Sequence, residues 1–280
     1  MKSSLFLLVF ISLHLVGCHH FFLKQDEDRE FHFPEVLVPT FHDSLPSLLF
    51  KANHIEGGYP VFAGKYSFCD TVQLDPYARW SPSSEKEDFF WSSPYTSLED
   101  SIDTNGFEVY VDYQTSVSLK SDYYPTDQFY SHFPVYLVNS TPSDKYFVMQ
   151  SDYVVGLQET LSGSEGPYYN ELPQWRPIEG KGPSFCNSEP WGLVVHPGQF
   201  VLILMKKYAG DYEANLRVRL KVGANIYTSR PFVGVIQTKQ YCISEETKFY
   251  HCLKKWGGAD ANRLFYGALS EYVYWQELID

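Results

Sequence analysis

Positive charge is what this chain has little of. Its 280 residues hold 22 Lys and Arg against 34 Asp and Glu, a net charge of −12. No basic stripe stands out, and contact with phosphates needs clustered Lys and Arg, so nucleic-acid partners are not expected. Cysteine is scarce as well. No two of the five cysteines stand two to four residues apart, so there is no zinc pair. No Gly-Lys-Ser/Thr phosphate loop and no dinucleotide fingerprint occur. Ser162-Gly163-Ser164-Glu165-Gly166 lacks the spacing of a nucleophile elbow and reads as a hairpin loop. No cofactor and no metal are expected. Past the first twenty residues, no stretch of about 18 apolar residues exists that would make a spanning helix.

What the chain does have begins at Met1. Met1-Lys2 supplies one positive charge, Leu5 to Leu13 a short apolar core, and Leu15-Val16-Gly17-Cys18 a close. The core is too short to span a bilayer and has the three-part layout of a secretory signal. The last four residues resemble the lipobox of bacterial lipoproteins. That resemblance implies cleavage before Cys18, acylation of its thiol with palmitate-type chains, and an extracytoplasmic protein held on the lipid bilayer of a bacterial outer membrane. Plain secretion is the alternative. Leu15, three residues before the cut, suits a lipobox better than an ordinary signal site. Cysteine parity agrees: five is odd for an exported chain, and acylating Cys18 leaves Cys69, Cys186, Cys242 and Cys252 for two bridges. Three connectivities are open. The polar turn Ser244-Glu245-Glu246-Thr247 favours Cys242–Cys252, which leaves Cys69–Cys186. The acidic run from Lys24 to Glu30 reads as a solvated spacer. It is also similar to the surface-export tethers of Bacteroidota lipoproteins.

The composition leans towards strands. There are 22 Tyr, 21 Phe and 6 Trp but only 3 Met, and aromatic and β-branched side chains suit a pleated, half-buried surface. Residues 18–50 read as a tether, and 51–105 as an irregular region of short strands and loops punctuated by proline. From Phe107 the alternation strengthens. Strands are expected around 107–113, 117–119, 133–138, 145–149, 154–158, 175–178, 192–195, 200–205, 216–222, 225–228 and 232–236. Many short strands parted by turn residues predict a sandwich or barrel over 106–240.

His196-Pro197-Gly198-Gln199 before an apolar strand, then Gly210-Asp211-Tyr212 before Leu216-Arg217-Val218-Arg219-Leu220, resembles the E, F and G strands of immunoglobulin-like sandwiches. The resemblance implies an antiparallel immunoglobulin-like β-sandwich in which Tyr212 is a structural corner residue. The Cys…Trp…Cys core of that family is absent. Pro134 to Asn139 and Trp175 to Glu179 are similar to β-rich Bacteroidota envelope proteins without an assigned chemistry. Residues 241–280 read as a disulfide loop followed by an amphipathic helix. Asp260 caps that helix, and Leu264, Ala268, Tyr272, Trp275 and Leu278 form its stripe.

Chemistry is sparse. His19-His20 reads as part of a flexible terminus. Asn139-Ser140-Thr141 is a glycosylation sequon weakened by Pro142. Trp80 and Trp91, flanked by Ser and Pro, read as loop residues. With Trp175 and Trp191 they serve either as a carbohydrate-binding platform or as cover for an irregular core. Carboxylate pairs for glycoside cleavage come from different strands and cannot be read from spacing. The expectation is a non-enzymatic lipoprotein acting as a binding or structural module, with an envelope protein or a glycan as its partner. A carbohydrate-binding accessory protein and an extracytoplasmic hydrolase are the rivals.

Overall fold

The structure is a computed structural model. It describes residues 31–38, 47–50, 60–74, 89–91, 102–120, 128–149, 154–162, 174–180, 191–241 and 248–257. The chain divides into two units, Met1–Phe33 and Pro34–Asp280. In the first, the described rings of Phe31 and Phe33 meet edge to face.

The second unit is mainly β. Its strands are β1 (Glu35–Leu37), β2 (Val61–Ser67), β3 (Thr71–Gln73), β4 (Phe89–Trp91), β5 (Glu108–Val111), β6 (Val117–Lys120), β7 (Phe129–Asn139), β8 (Lys145–Met149), β9 (Val155–Ser162), β10 (Gln174–Pro177), β11 (Trp191–Val195), β12 (Gln199–Lys206), β13 (Tyr212–Val222), β14 (Asn225–Thr228) and β15 (Phe232–Ile236). A 3₁₀ turn, Thr238–Tyr241, and one helix, α1 (Lys248–Trp256), follow. Every strand expected from Phe107 onward is present. The first sheet runs β2-β12-β7-β5, with β6 also on β7. The second runs β10-β9-β13-β14, with β15 also on β13. A third, β4-β11-β8, is smaller. The ladders of all three are antiparallel.

One core joins them. Phe133, Val135 and Leu137 of β7 and Val201, Ile203 and Met205 of β12 pack against Val218, Leu220 and Val222 of β13, and against Phe147, Met149, Leu193 and Val195 of the third sheet. The alternate residues of the first sheet turn the other way, yet Tyr136, Val138, Phe200, Leu202 and Leu204 are all 0% exposed. The sheet is therefore buried on both faces. A strand buried on both faces loses its alternation and reads as an apolar run, as Phe200 to Met205 does. Lys65 of β2 is also buried, and its ammonium donates to the Val194 carbonyl of β11 at 3.0 Å.

Two irregularities have clear causes. Pro134 lies inside central β7, where proline is disfavoured because it has no N–H for the ladder. It sits between the residues paired with β5, which stop at Val135, and those paired with β6, which start at His132. Its carbonyl still accepts from Asp112 N–H at 3.1 Å. The other is Gly64 in β2, at φ +138, beside the register shift between β12 residues Leu202 and Ile203. A bulge at a positive φ calls for glycine.

The N-terminal boundaries differ from expectation. The tether was placed as far as residue 50, but β1 pairs in parallel with β3. Leu48 and Phe50 bridge Tyr130 and Tyr208. Four backbone bonds of 2.8–3.0 Å hold that segment: Leu48 N–H to Phe129 O, Ser131 N–H to Leu48 O, Phe50 N–H to Lys207 O, and Ala209 N–H to Phe50 O. Within 51–105, β2 forms a ladder with β12. The Leu48 and Phe50 bridges and the β2 ladder come from partners over 80 residues away and leave no mark on local composition. Of the tail, the expected helix at 260–278 lies outside the described residues, while α1 occupies part of the segment read as a disulfide loop.

Candidate functional site

A strand with period two puts alternate residues on one face, so β13 carries Arg217, Arg219 and Lys221 together on the outward side of the second sheet. Their inward neighbours Val218, Leu220 and Val222 belong to the core. This is a basic row. Counting charge along the chain misses it, because Val and Leu separate the cations. Glu159 of β9 stands opposite Arg217 in the ladder. Its carboxylate accepts from Arg217 Nε at 2.5 Å and from Arg219 Nη1 at 3.3 Å. The Glu159 side chain is 0% exposed, against 22% for Arg217 and 10% for Arg219. Burial pushes the Glu159 carboxyl up, and the two guanidinium groups act against that rise. The Arg217 guanidinium lies 4.3 Å from the ring centroid of Trp175 on edge strand β10, within cation–π range. Lys221 completes the row, half-buried.

A second polar group lies on the inner side of β9. Past Pro177 the Ile178 N–H still donates to Gln158 O at 3.0 Å, but the carboxylate of Glu179 takes the place of the carbonyl that would accept in return. The carboxylate accepts from Gln158 N–H at 2.8 Å, from Gln158 Nε2 at 3.2 Å and from the Tyr208 hydroxyl at 2.5 Å. Gln158 Nε2 also donates to Lys206 O, and Gln240 Nε2 to Ile178 O. Burial raises the Glu179 carboxyl, with the Tyr208 bond and the Lys206 charge opposing. Burial lowers the Lys206 ammonium. A shifted acid beside a shifted lysine is the kind of pair that marks active sites, although structural networks give the same signal. Here the bonds run between β9, β10, β12 and the 3₁₀ turn, which makes the group a clasp between sheets. Glycoside cleavage needs two carboxyls facing one substrate. Glu159 and Glu179 turn to different partners on different sides of β9.

The residues singled out from sequence are scattered. Cys18, Trp80, Cys186 and Cys242 lie outside the described residues. Trp91 was expected in a loop but belongs to β4, in register with Trp191 of β11. Its Ser and Pro flanks gave the loop reading, and a partner strand 100 residues away overrides them. Cys69, just past β2, is exposed, and Cys252, in α1, is half-buried. Both thiols are free, so no disulfide is formed at either among the described residues. Tyr212 opens β13 and packs against the cluster of Phe50, Ile178, Tyr208, Leu216 and Ile236. The preceding residues lock that corner: Asp211 accepts from Thr238 N–H at 3.0 Å, and Asp211 N–H donates to Ile236 O at 3.1 Å. Asn139 of the sequon is 0% exposed, and its amide nitrogen already donates to Ser143 O and Val195 O at 2.8 and 2.7 Å. It is a turn lock that cannot accept a glycan in the folded chain.

Among the described residues no three of His, Cys, Asp and Glu gather to hold a metal ion, and no helix is long and apolar enough to cross a membrane. Of the outward group on the second sheet, Arg217, Lys221 and Trp175 are partly exposed, while Glu159 and Arg219 are buried beneath them. Trp175 and the alternating cations were both legible in the sequence; their meeting was not. No family model matches the chain, and no curated protein matches it.

Proposed function

We propose that this chain is a non-enzymatic envelope lipoprotein, acylated at Cys18 and held on a bacterial outer membrane, whose sandwich works as a binding or structural module. The address rests on Leu15-Val16-Gly17-Cys18 at the end of a well-formed apolar core. The observation that carries the non-enzymatic reading is the commitment of the buried charges to internal bonds. Glu159 is held by Arg217 and Arg219, and Glu179 by Tyr208 and Gln158.

An immunoglobulin-like topology is part of this reading. That fold pairs B with E in one sheet and places C, F and G side by side in the other. Here β7 pairs with β12, β9 with β13, and β13 with β15. These three ladders stand where B–E, C–F and F–G would. The strand after Pro197-Gly198 then takes the E position and the one after Gly210-Asp211 the F position. β8 and β11, which pair with each other, are additions to that plan. A carbohydrate-binding accessory role is the second reading, favoured by Trp175 stacked under Arg217 at the sheet edge.

The test is at Cys18. Wild-type protein should fractionate with membranes and carry fatty acyl mass on an N-terminal peptide that begins at Cys18. Cys18→Ala should move to the soluble fraction. A mature N-terminus at another residue, without lipid, would end the lipoprotein reading.

A further inference from the structure

We propose that the outward row of β13 binds an extended carboxylate-bearing polymer, an acidic polysaccharide, through Arg217 and Lys221 with Trp175 at the edge. The proposal rests on reading the sandwich as a binding module and names the ligand class of that module. The row has the build of a site. Glu159 is wholly buried beneath it and holds Arg217 Nε at 2.5 Å, while Trp175 backs the guanidinium plane at 4.3 Å. Arg217 is thereby oriented before any ligand arrives, and its remaining N–H groups keep the planar fork that matches a carboxylate. One carboxylate balances one cation. With the exposed Glu213 on the same face counted beside Glu159, Arg217, Arg219 and Lys221 still leave the row one positive charge, on a chain whose net charge is −12.

Length and charge density select the ligand. Arg217 and Lys221 are four residues apart on one strand, about 14 Å at the rise of a β-strand. That distance suits an extended chain better than a single small anion. A duplex nucleic acid carries about one charge per 1.7 Å. It would press dense phosphate charge against the acidic remainder of the protein. A polysaccharide with one carboxylate per sugar has sparser charge, which matches two cations set well apart.

The experiment is affinity electrophoresis of the detergent-solubilised full chain through gels containing polygalacturonate, dextran or a DNA oligonucleotide. The expected result is retardation by polygalacturonate alone, fading with added salt. Lys221→Gln, which touches no buried charge, should weaken it by about fivefold or more, the size of one lost charge-assisted contact. Arg217→Gln removes the cation and leaves Glu159 bonded to Arg219. It should abolish retardation while thermal melting shows a folded protein. Absence of retardation of the wild type, equal retardation by DNA, or retardation unchanged in both variants overturns the proposal. Retardation by dextran alone also overturns it, yet leaves the binding-module reading standing.

Discussion

Acid should weaken this fold through one buried imidazole. His132 lies on β7, 6% exposed. Its Nδ1 is 3.0 Å from the Tyr130 carbonyl, and its ring meets Phe50 edge-on at 5.1 Å. Lys206 stands opposite it in the β7–β12 ladder, with its ammonium 4.8 Å from the Phe50 centroid. Burial drives the His132 pKa from 6.5 down to about 4. The Lys206 charge pushes the same way, against the backbone carbonyls of Tyr130 and Val117. The folded pKa is therefore below the unfolded one. The neutral ring contributes stability above about pH 6.5, and that contribution is lost as pH falls through about 4. The interval from 6.5 to about 4 is roughly 2.5 pH units, and at about 1.36 kcal/mol per unit the loss approaches about 3.4 kcal/mol, of which about 3 kcal/mol is complete by pH 4.

Other groups titrate in the same range, so a single curve does not isolate His132. Glu159 and Glu179 have raised pKa values, which makes the fold gain stability as they protonate on the way down to their unfolded values. Asp103 and Asp211 have lowered ones, so their contribution fades below about pH 4. A difference measurement removes them. His132→Gln keeps a donor for the Tyr130 carbonyl and has no charge to gain. Urea unfolding of both proteins from pH 7.5 to 4.0, at constant ionic strength, gives the stability gap at each pH. The wild-type advantage should shrink by about 3 kcal/mol across that span. A gap that stays constant refutes the argument that the imidazole is held neutral by burial.

Two further substitutions follow from close contacts. At Gly210 an added Cβ would lie 2.1 Å from Ile236 O and 2.3 Å from its carbonyl carbon, both backbone atoms of β15. Gly210→Ala should cost about 3 kcal/mol or more by overpacking, and melting should fall by about 6 °C or more; an unchanged melting temperature counts against that corner. Tyr208→Phe removes the hydroxyl that donates to Glu179 and should cost about 1–3 kcal/mol in chemical unfolding, while full stability would mean that the clasp is not needed.

The strands were legible because their cause is local. Alternation along 107–113 and 216–222, and the apolar run at 200–205, mark faces that any reader of period two can find. Partners were not legible, because they are remote. Leu48 bridges Tyr130, β2 lies along β12, and Trp91 stands opposite Trp191. Residues up to 50 read as a tether and 51–105 as short strands and loops, and composition did not show that Leu48, Phe50 and β2 pair with strands far along the chain. Tyr208 was likewise missed in favour of Tyr212. The Gly-Asp-Tyr pattern drew attention to the corner, while the carboxylate that Tyr208 meets comes from the segment after β10, 29 residues away.

The site was half legible for a related reason. Alternation alone says that Arg217, Arg219 and Lys221 share a face. It does not say whether that face is solvent, core or a seat for a counter-ion. The deciding residue is Glu159, brought opposite Arg217 by the β9–β13 register. Slip that register by one residue and Gln158 turns outward, Glu159 enters the core, and two guanidinium groups lose their shared partner. An uncompensated buried carboxylate is strongly destabilising, by about 3–5 kcal/mol where such pairs have been broken. The same ion pairs that give the outward face its chemistry therefore also hold β9 and β13 in a single register.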